Sequence, residues 1–250
     1  MPKSRLDQLL VSRGLAASRE RARALILAGH VTVAGRPVTK AGTAVDENDA
    51  ITLKTPDHPW VGRGGLKLAH ALTAFHIDVT GASALDIGAS TGGFTDVLLN
   101  RGARHVVALD VGHHQIDWKL RSDPRVTTIE GVNARYLNAD ALPPGAAPFD
   151  LITIDVSFIS LRQILPVVPA LLTDDGHVIA LVKPQFEAGR REVGAGGIVR
   201  DPLVHRRVVE EIVAAALTVG LERIGLEPSP IEGAEGNREF LLCFARGPLR

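Results

Sequence analysis

The segment Leu85-Asp86-Ile87-Gly88-Ala89-Ser90-Thr91-Gly92-Gly93-Phe94 ends an apolar run and opens a helical stretch. Glycines in such a turn let backbone approach a ligand at the carboxyl edge of a sheet. The turn lacks the Gly-Lys-Ser/Thr of a phosphate loop, and its spacing is not Gly-x-Gly-x-x-Gly. A tight turn without a ligand is the plain alternative. Asp110 closes the next apolar run, Val106 to Leu109. An acid there accepts hydrogen bonds from both hydroxyls of an adenosine ribose, or else caps the chain from His113 onward. Asp155 closes Leu151 to Ile154 and either faces the same edge or caps the next helix. Lys183 closes Val178 to Val182. A lysine ending such a run is costly to bury without a partner, so it is either paired or snorkels outward. Lys67 and Glu239, taken singly, read as ordinary surface charges.

These residues need a scaffold, and the chain supplies its pattern. Near-continuous apolar strands at 84–87, 106–109, 126–129, 151–154 and 178–182 alternate with helical stretches, and two more strands lie at 221–227 and 239–245. That is the signature of a mostly parallel sheet covered on both faces. The glycine-rich stretch between Glu187 and Asp201, with Arg190 and Arg191, reads as a mobile loop. Before Pro59 the pattern differs. Ser4-Arg5-Leu6-Asp7 has the spacing of a capped helix start, and Ser18 starts a second helix that runs to Gly29. Short strands are expected at 30–33, 38–40 and 50–53. Residues 1–54 then form a small α+β domain, 55–65 a linker, and 66–250 the larger α/β domain.

The 250 residues carry 28 basic and 28 acidic side chains, so net charge alone names no polyanion partner. Its distribution does. Residues 1–59 hold nine basic and six acidic residues, with Arg5, Arg19, Arg21 and Arg23 concentrated in the two helices. Arginines on helices whose apolar faces are committed to a core suit RNA phosphate. The single cysteine, Cys243, excludes an internal disulfide and a Cys-rich metal site, and its apolar context makes it an inert core thiol. No metal site is expected. No apolar run reaches the ~18 residues of a membrane span, and the N-terminus has no signal core, so a cytoplasmic protein is expected.

The turn at Asp86–Phe94 resembles the Asp-x-Gly-x-x-x-Gly-Gly loop of S-adenosylmethionine methyltransferases. Residues 60–246 resemble the FtsJ-like ribose 2′-O-methyltransferases, whose Lys-Asp-Lys-Glu tetrad matches Lys67, Asp155, Lys183 and Glu239. The first sixty residues resemble the S-four (αL) RNA-binding domain. With the phrases Val61-Gly62-Arg63-Gly64-Gly65, Val182-Lys183-Pro184-Gln185-Phe186-Glu187 and Gly197-Ile198-Val199-Arg200-Asp201-Pro202, the chain is similar to the TlyA, or hemolysin A, family. The resemblance implies a Rossmann-like methyltransferase of seven strands behind an α+β RNA-binding domain. It implies S-adenosylmethionine held by Asp86, Gly88, Ala89, Ser90, Gly92, Gly93, Phe94, Asp110 and Asn133. It implies methylation of a cytidine 2′-hydroxyl in ribosomal RNA within ribosomal subunits, with no obligate protein partner. Lys183 would be base or oxyanion stabiliser, oriented by Asp155, with Lys67 and Glu239 completing a neutral network. Competing readings are another structured RNA such as transfer RNA, a non-catalytic ribosome-assembly protein, and a membrane-lytic toxin. The last needs an insertion segment that the sequence lacks.

Overall fold

The computed structural model describes residues 3–16, 18–53, 58–233 and 236–247. The chain divides into two compact units, 1–59 and 60–250. Of the expected linker, 55–57 lie outside the described residues. Residues 60–65 belong to the second unit: Trp60 and Val61 pack on its core, and Val61 N–H donates to Asp96 Oδ2 at 2.9 Å.

In the first unit, β1 (Lys3–Arg5) leads into α1 (Leu6–Ser12), then α2 (Arg19–Leu27), β2 (Val31–Val33), β3 (Arg36–Pro37), β4 (Ala44–Asp46) and β5 (Ile51–Leu53). Ser4 does not cap a helix; it lies in β1 opposite Val45. The first-turn donors of α1 are already satisfied, because Leu6 N–H reaches Thr43 O and Asp7 N–H reaches Ala41 O. Ser18 does cap α2, accepting from Arg21 N–H at 3.1 Å. Residues 38–40 form no strand. The partner of β1 is β4, whose three mixed residues carry no strand pattern. Leu6, Leu10 and Ile26 are fully buried at the centre of this unit.

The second unit opens with α3 (Gly64–Ala74), β6 (Ser83–Ile87), α4 (Gly93–Asn100), β7 (His105–Asp110), α5 (Trp118–Arg121) and β8 (Val126–Glu130). It continues with β9 (Phe149–Ile154), β10 (Leu172–Val182), α6 (Pro184–Glu187), α7 (Pro202–Thr218), β11 (Leu221–Pro228) and β12 (Phe240–Arg246). The sheet order is β11-β12-β10-β9-β6-β7-β8. Within this sheet β12 alone runs opposite to the other six strands. Period-two alternation sorts the strand residues onto two apolar faces. One face, with Ile87, Ile154 and Val182, packs on α7 through Val208 and Ile212. The other, with Ala84, Leu181 and Cys243, packs on α3 and α4 through Leu68 and Phe94. Burial pushes the Cys243 thiol up to about 12, as an inert thiol requires. The strand order reverses between β6 and β9, and at such a switch the carboxyl ends open a crevice.

The glycine-rich stretch before α7 is tied down. Glu192 accepts from Gly189 N–H and pairs with Arg207 at 2.6 Å. Fully buried Asn237 accepts from Val199 N–H and donates to Gly197 O, each at 2.9 Å.

Candidate active site

β6 delivers the chain to the crevice, and Gly88 turns it at a φ of +84°. A β-carbon on Gly88 would lie 2.4 Å from the carbonyl oxygen of Asp155. Both the dihedral and the space therefore demand glycine. Behind this turn, fully buried Asp86 accepts from Thr95 Oγ1 at 2.7 Å and from Thr153 Oγ1 at 2.9 Å. Burial pushes its carboxyl up to about 6, against the pull of those hydroxyls. Asp86 lies behind the residues that line the crevice, and its carboxylate braces the loop. Gly92 is also set back, at φ +94°, packed against Leu120. Ala89, Ser90, Gly93 and Phe94 do line the crevice.

A second glycine cluster supports the loop from the front. A β-carbon on Gly93 would lie 2.9 Å from Gly65 N and 3.1 Å from Gly62 O. One on Gly62 would meet Thr91 Oγ1 at 2.5 Å, and one on Gly65 would meet the Trp60 ring at 2.4 Å. The Val61–Gly65 phrase is thus a backbone-on-backbone brace.

Two clefts share Gly88, Ser90, Asp155, Ser157 and Phe158. The larger, about 650 Å³, runs over β7 and is lined by Asp110, Val111, Val132 and Asn133. That is the size of a small-molecule site. Asp110 accepts from Ser90 N–H at 2.8 Å and Gly112 N–H at 2.7 Å, so it locks the loop as well as facing the cleft. Asn133 Oδ1 caps a short 3-10 turn through Arg135 N–H at 3.0 Å.

The smaller cleft, about 400 Å³, gathers Lys67 of α3 with Asp155 just after β9, Lys183 just after β10 and Glu239 just before β12. Lys183 Nζ lies 2.6 Å from Asp155 Oδ1 and donates to Ser157 Oγ at 2.9 Å. Lys67 Nζ lies 2.5 Å from Glu239 Oε2, with both side chains under a tenth exposed. Neither carboxylate acts as a helix cap, and neither lysine snorkels. Buried Glu187 accepts from Ser160 Oγ at 2.5 Å and Leu161 N–H at 2.7 Å, and so anchors the segment after Lys183. Burial raises its pKa above the usual carboxylate range.

Sequence reasoning missed three residues here. Ser157, the second partner of Lys183, had no signal beyond its place two residues after Asp155. Phe158 stands 91% exposed at φ +65°, its ring 5.0 Å from that of Phe186. An exposed aromatic in a left-handed conformation suggests a held contact surface. Asn237 was hidden in a polar loop.

In the first unit, Arg5, Arg19 and Arg23 converge on one carboxylate. Asp7, fully buried, accepts from Arg5 Nε at 3.0 Å and Nη2 at 3.1 Å, from Arg19 Nε at 3.1 Å and from Arg23 Nε at 3.3 Å. Arg21 lies on the same helix as the last two, α2. Among the described residues no cluster of metal-ligating side chains occurs, and no helix is long and apolar enough to cross a membrane.

Residues 60–246 match the FtsJ-like methyltransferase family, and residues 4–51 match the S4 domain. The chain is 47% identical over 241 residues to the 16S/23S rRNA (cytidine-2′-O)-methyltransferase TlyA of Mycobacterium tuberculosis, covering 96% of this chain and 89% of the relative. A solved Streptococcus thermophilus protein named as a hemolysin is 44% identical, with a TM-score of 0.77 over 99% of this chain and 90% of that one. An S-adenosylmethionine-dependent methyltransferase of Mesorhizobium loti shares the fold, with a TM-score of 0.55 at 18% identity over 74% of this chain and all of that one.

Proposed function

Because this chain belongs to the FtsJ-like methyltransferase family and carries an S4 domain ahead of it, we propose that it methylates ribosomal RNA at the 2′-hydroxyl of cytidine. The observation that carries this is the ammonium of Lys183, fixed by Asp155 and Ser157 where the two clefts meet. The residues fit S-adenosylmethionine: Gly88, Ala89 and Ser90 bring the loop against the clefts at the strand end, and Asp110 offers carboxylate oxygens to a ribose. Gly88, Ala89, Ser90, Gly93, Phe94, Asp110 and Asn133 would hold it, with Asp86 and Gly92 shaping the loop behind. When bound, S-adenosylmethionine supplies a methyl group already activated on sulfonium sulfur.

The protein's own task is then alignment and proton management. A ribose hydroxyl is a weak nucleophile that sheds its proton as its new bond forms. Lys183 holds that oxygen in line and manages its change of charge, as base or as oxyanion stabiliser. Asp155 and Ser157 fix the ammonium, while Lys67 and Glu239 close the pocket with a neutral pair. The exposed ring of Phe158 offers a face on which a base turned out of its stack can rest. Phe158→Ala then lowers kcat/KM for RNA and leaves cofactor affinity unchanged. Arg5, Arg19, Arg21 and Arg23 contact RNA phosphate. The substrate is ribosomal RNA in ribosomal subunits, and the enzyme works in the cytoplasm.

The test is transfer of labelled methyl from S-adenosylmethionine to purified ribosomal subunits, with subsequent mapping of 2′-O-methyl groups. Label on a cytidine ribose is expected, and its loss in Lys183→Ala. Label on a base, on transfer RNA alone, or on no RNA overturns the reading.

A further inference from the structure

We propose that Asp7 is a positioning residue for RNA: its buried carboxylate sets three arginine side chains into one rigid phosphate-binding array. This rests on the reading that the basic face of the first unit meets RNA. A buried acid inside an RNA-binding face is electrostatically the wrong sign. Its geometry supplies the reason for it.

Asp7 is 0% exposed, while the arginine side chains around it are 45, 48 and 53% exposed. Four N–H groups converge on this carboxylate, one at Oδ1 and three at Oδ2. Arg5 binds bidentately, through Nε to Oδ1 and Nη2 to Oδ2. Arg19 and Arg23 bind Oδ2 through Nε alone. Engaging Nε fixes the plane and reach of a guanidinium, and Asp7 leaves the terminal nitrogens of Arg19 and Arg23 to other partners. The three arginines come from two places in the chain, Arg5 from the end of β1 and the others four residues apart on α2. Without an anion between them, three guanidinium groups would repel and spread. Gly42 completes the seat, since a β-carbon there would press on Arg5 Nη1 at 3.3 Å. The array keeps a net charge of +2 and loses little side-chain freedom when a phosphate arrives.

The inference separates from simple charge attraction by sign. Asp7→Asn adds one positive charge, so unstructured electrostatics requires tighter RNA binding. The array requires weaker binding: a Kd for ribosomal RNA at least fivefold higher, a raised KM, and an unchanged single-turnover rate at saturating RNA. A purely structural defect would not split KM from kcat in this way. The full-length protein serves throughout, and its thermal melt reports whether Asp7→Asn has folded.

Arg19→Lys with Arg23→Lys gives a second measure, because it keeps charge on half-exposed side chains and removes the Nε contact. A several-fold rise in Kd is expected there as well. Wild-type affinity in the lysine variant, or unchanged or tighter binding by folded Asp7→Asn, overturns the inference. Arg19→Glu with Arg23→Glu tests the reading beneath it. If that charge reversal leaves RNA affinity intact, the basic face does not meet RNA. If it abolishes binding while the Asp7→Asn and lysine tests both fail, only the array is wrong.

Discussion

Gly88 faces the main-chain carbonyl of Asp155 with no space for a side chain between them: a β-carbon would stand 2.4 Å from that oxygen. The contact joins the ends of β6 and β9, where Asp155 N–H also donates to Ile87 O at 2.9 Å. Gly88→Ala therefore separates the two strand ends. We expect S-adenosylmethionine affinity to fall at least about tenfold, or ~1.4 kcal/mol, while RNA binding by the first unit persists. Calorimetry showing parental cofactor affinity would disprove it.

Lys183→Ala removes the ammonium and leaves the backbone in place. Cofactor and RNA affinities should hold, and single-turnover rates should fall by about 10²-fold or more. A variant that retains near-normal single turnover would remove Lys183 from the chemistry.

Lys67 and Glu239 form a buried pair, and breaking one side strands the other. Lys67→Met should cost about 3–5 kcal/mol of stability. Lys67→Met with Glu239→Leu should recover most of that loss, since no charge is left unpaired. Activity should stay low in both. Restored turnover in the stable double variant would make the pair a purely structural element.

Asp86 titrates at about 6 in the folded protein against an ordinary 3.8. Between these values the folded state binds more protons than the unfolded one, so stability falls as pH rises. Above pH ~6 the cost is complete, on the order of 3 kcal/mol. Asp86→Asn offers one acceptor and one donor to Thr95 and Thr153, whose hydroxyls can do either, and removes this titration. Melts from pH 4 to 7.5 should show a flatter profile for the variant; parallel profiles would refute the assignment.

Much of the catalytic unit was legible because its strands are apolar on both faces and end in polar residues. Asp110, Asp155 and Lys183 could be placed at one sheet edge from that pattern alone. Lys67 and Glu239 could not, since nothing local distinguishes a surface charge from half of a buried pair; the family's tetrad supplied them. Asp86 shows the reverse limit. Its position in the loop was right, but which way a strand residue faces decides between touching a ligand and bracing a turn. In the first unit, Ser4 had the spacing of a helix cap, yet the backbone at 41–43 already satisfied the donors it would have served. Asp7 looked like the other half of that cap, and three-dimensional convergence gave it different partners.

The antiparallel β12 enters between β10 and β11, and Glu239 stands at its threshold. This arrangement fixes a timetable during translation. Glu239 is made 172 residues after the lysine it neutralises, a delay of roughly 10–30 s at ordinary elongation rates. Until then a nascent chain has no anion for Lys67 and a gap beside β10. The first unit has all its described strands within the opening 59 residues. An emerging polypeptide would therefore present a finished RNA-gripping head well before it owns a working catalytic pocket.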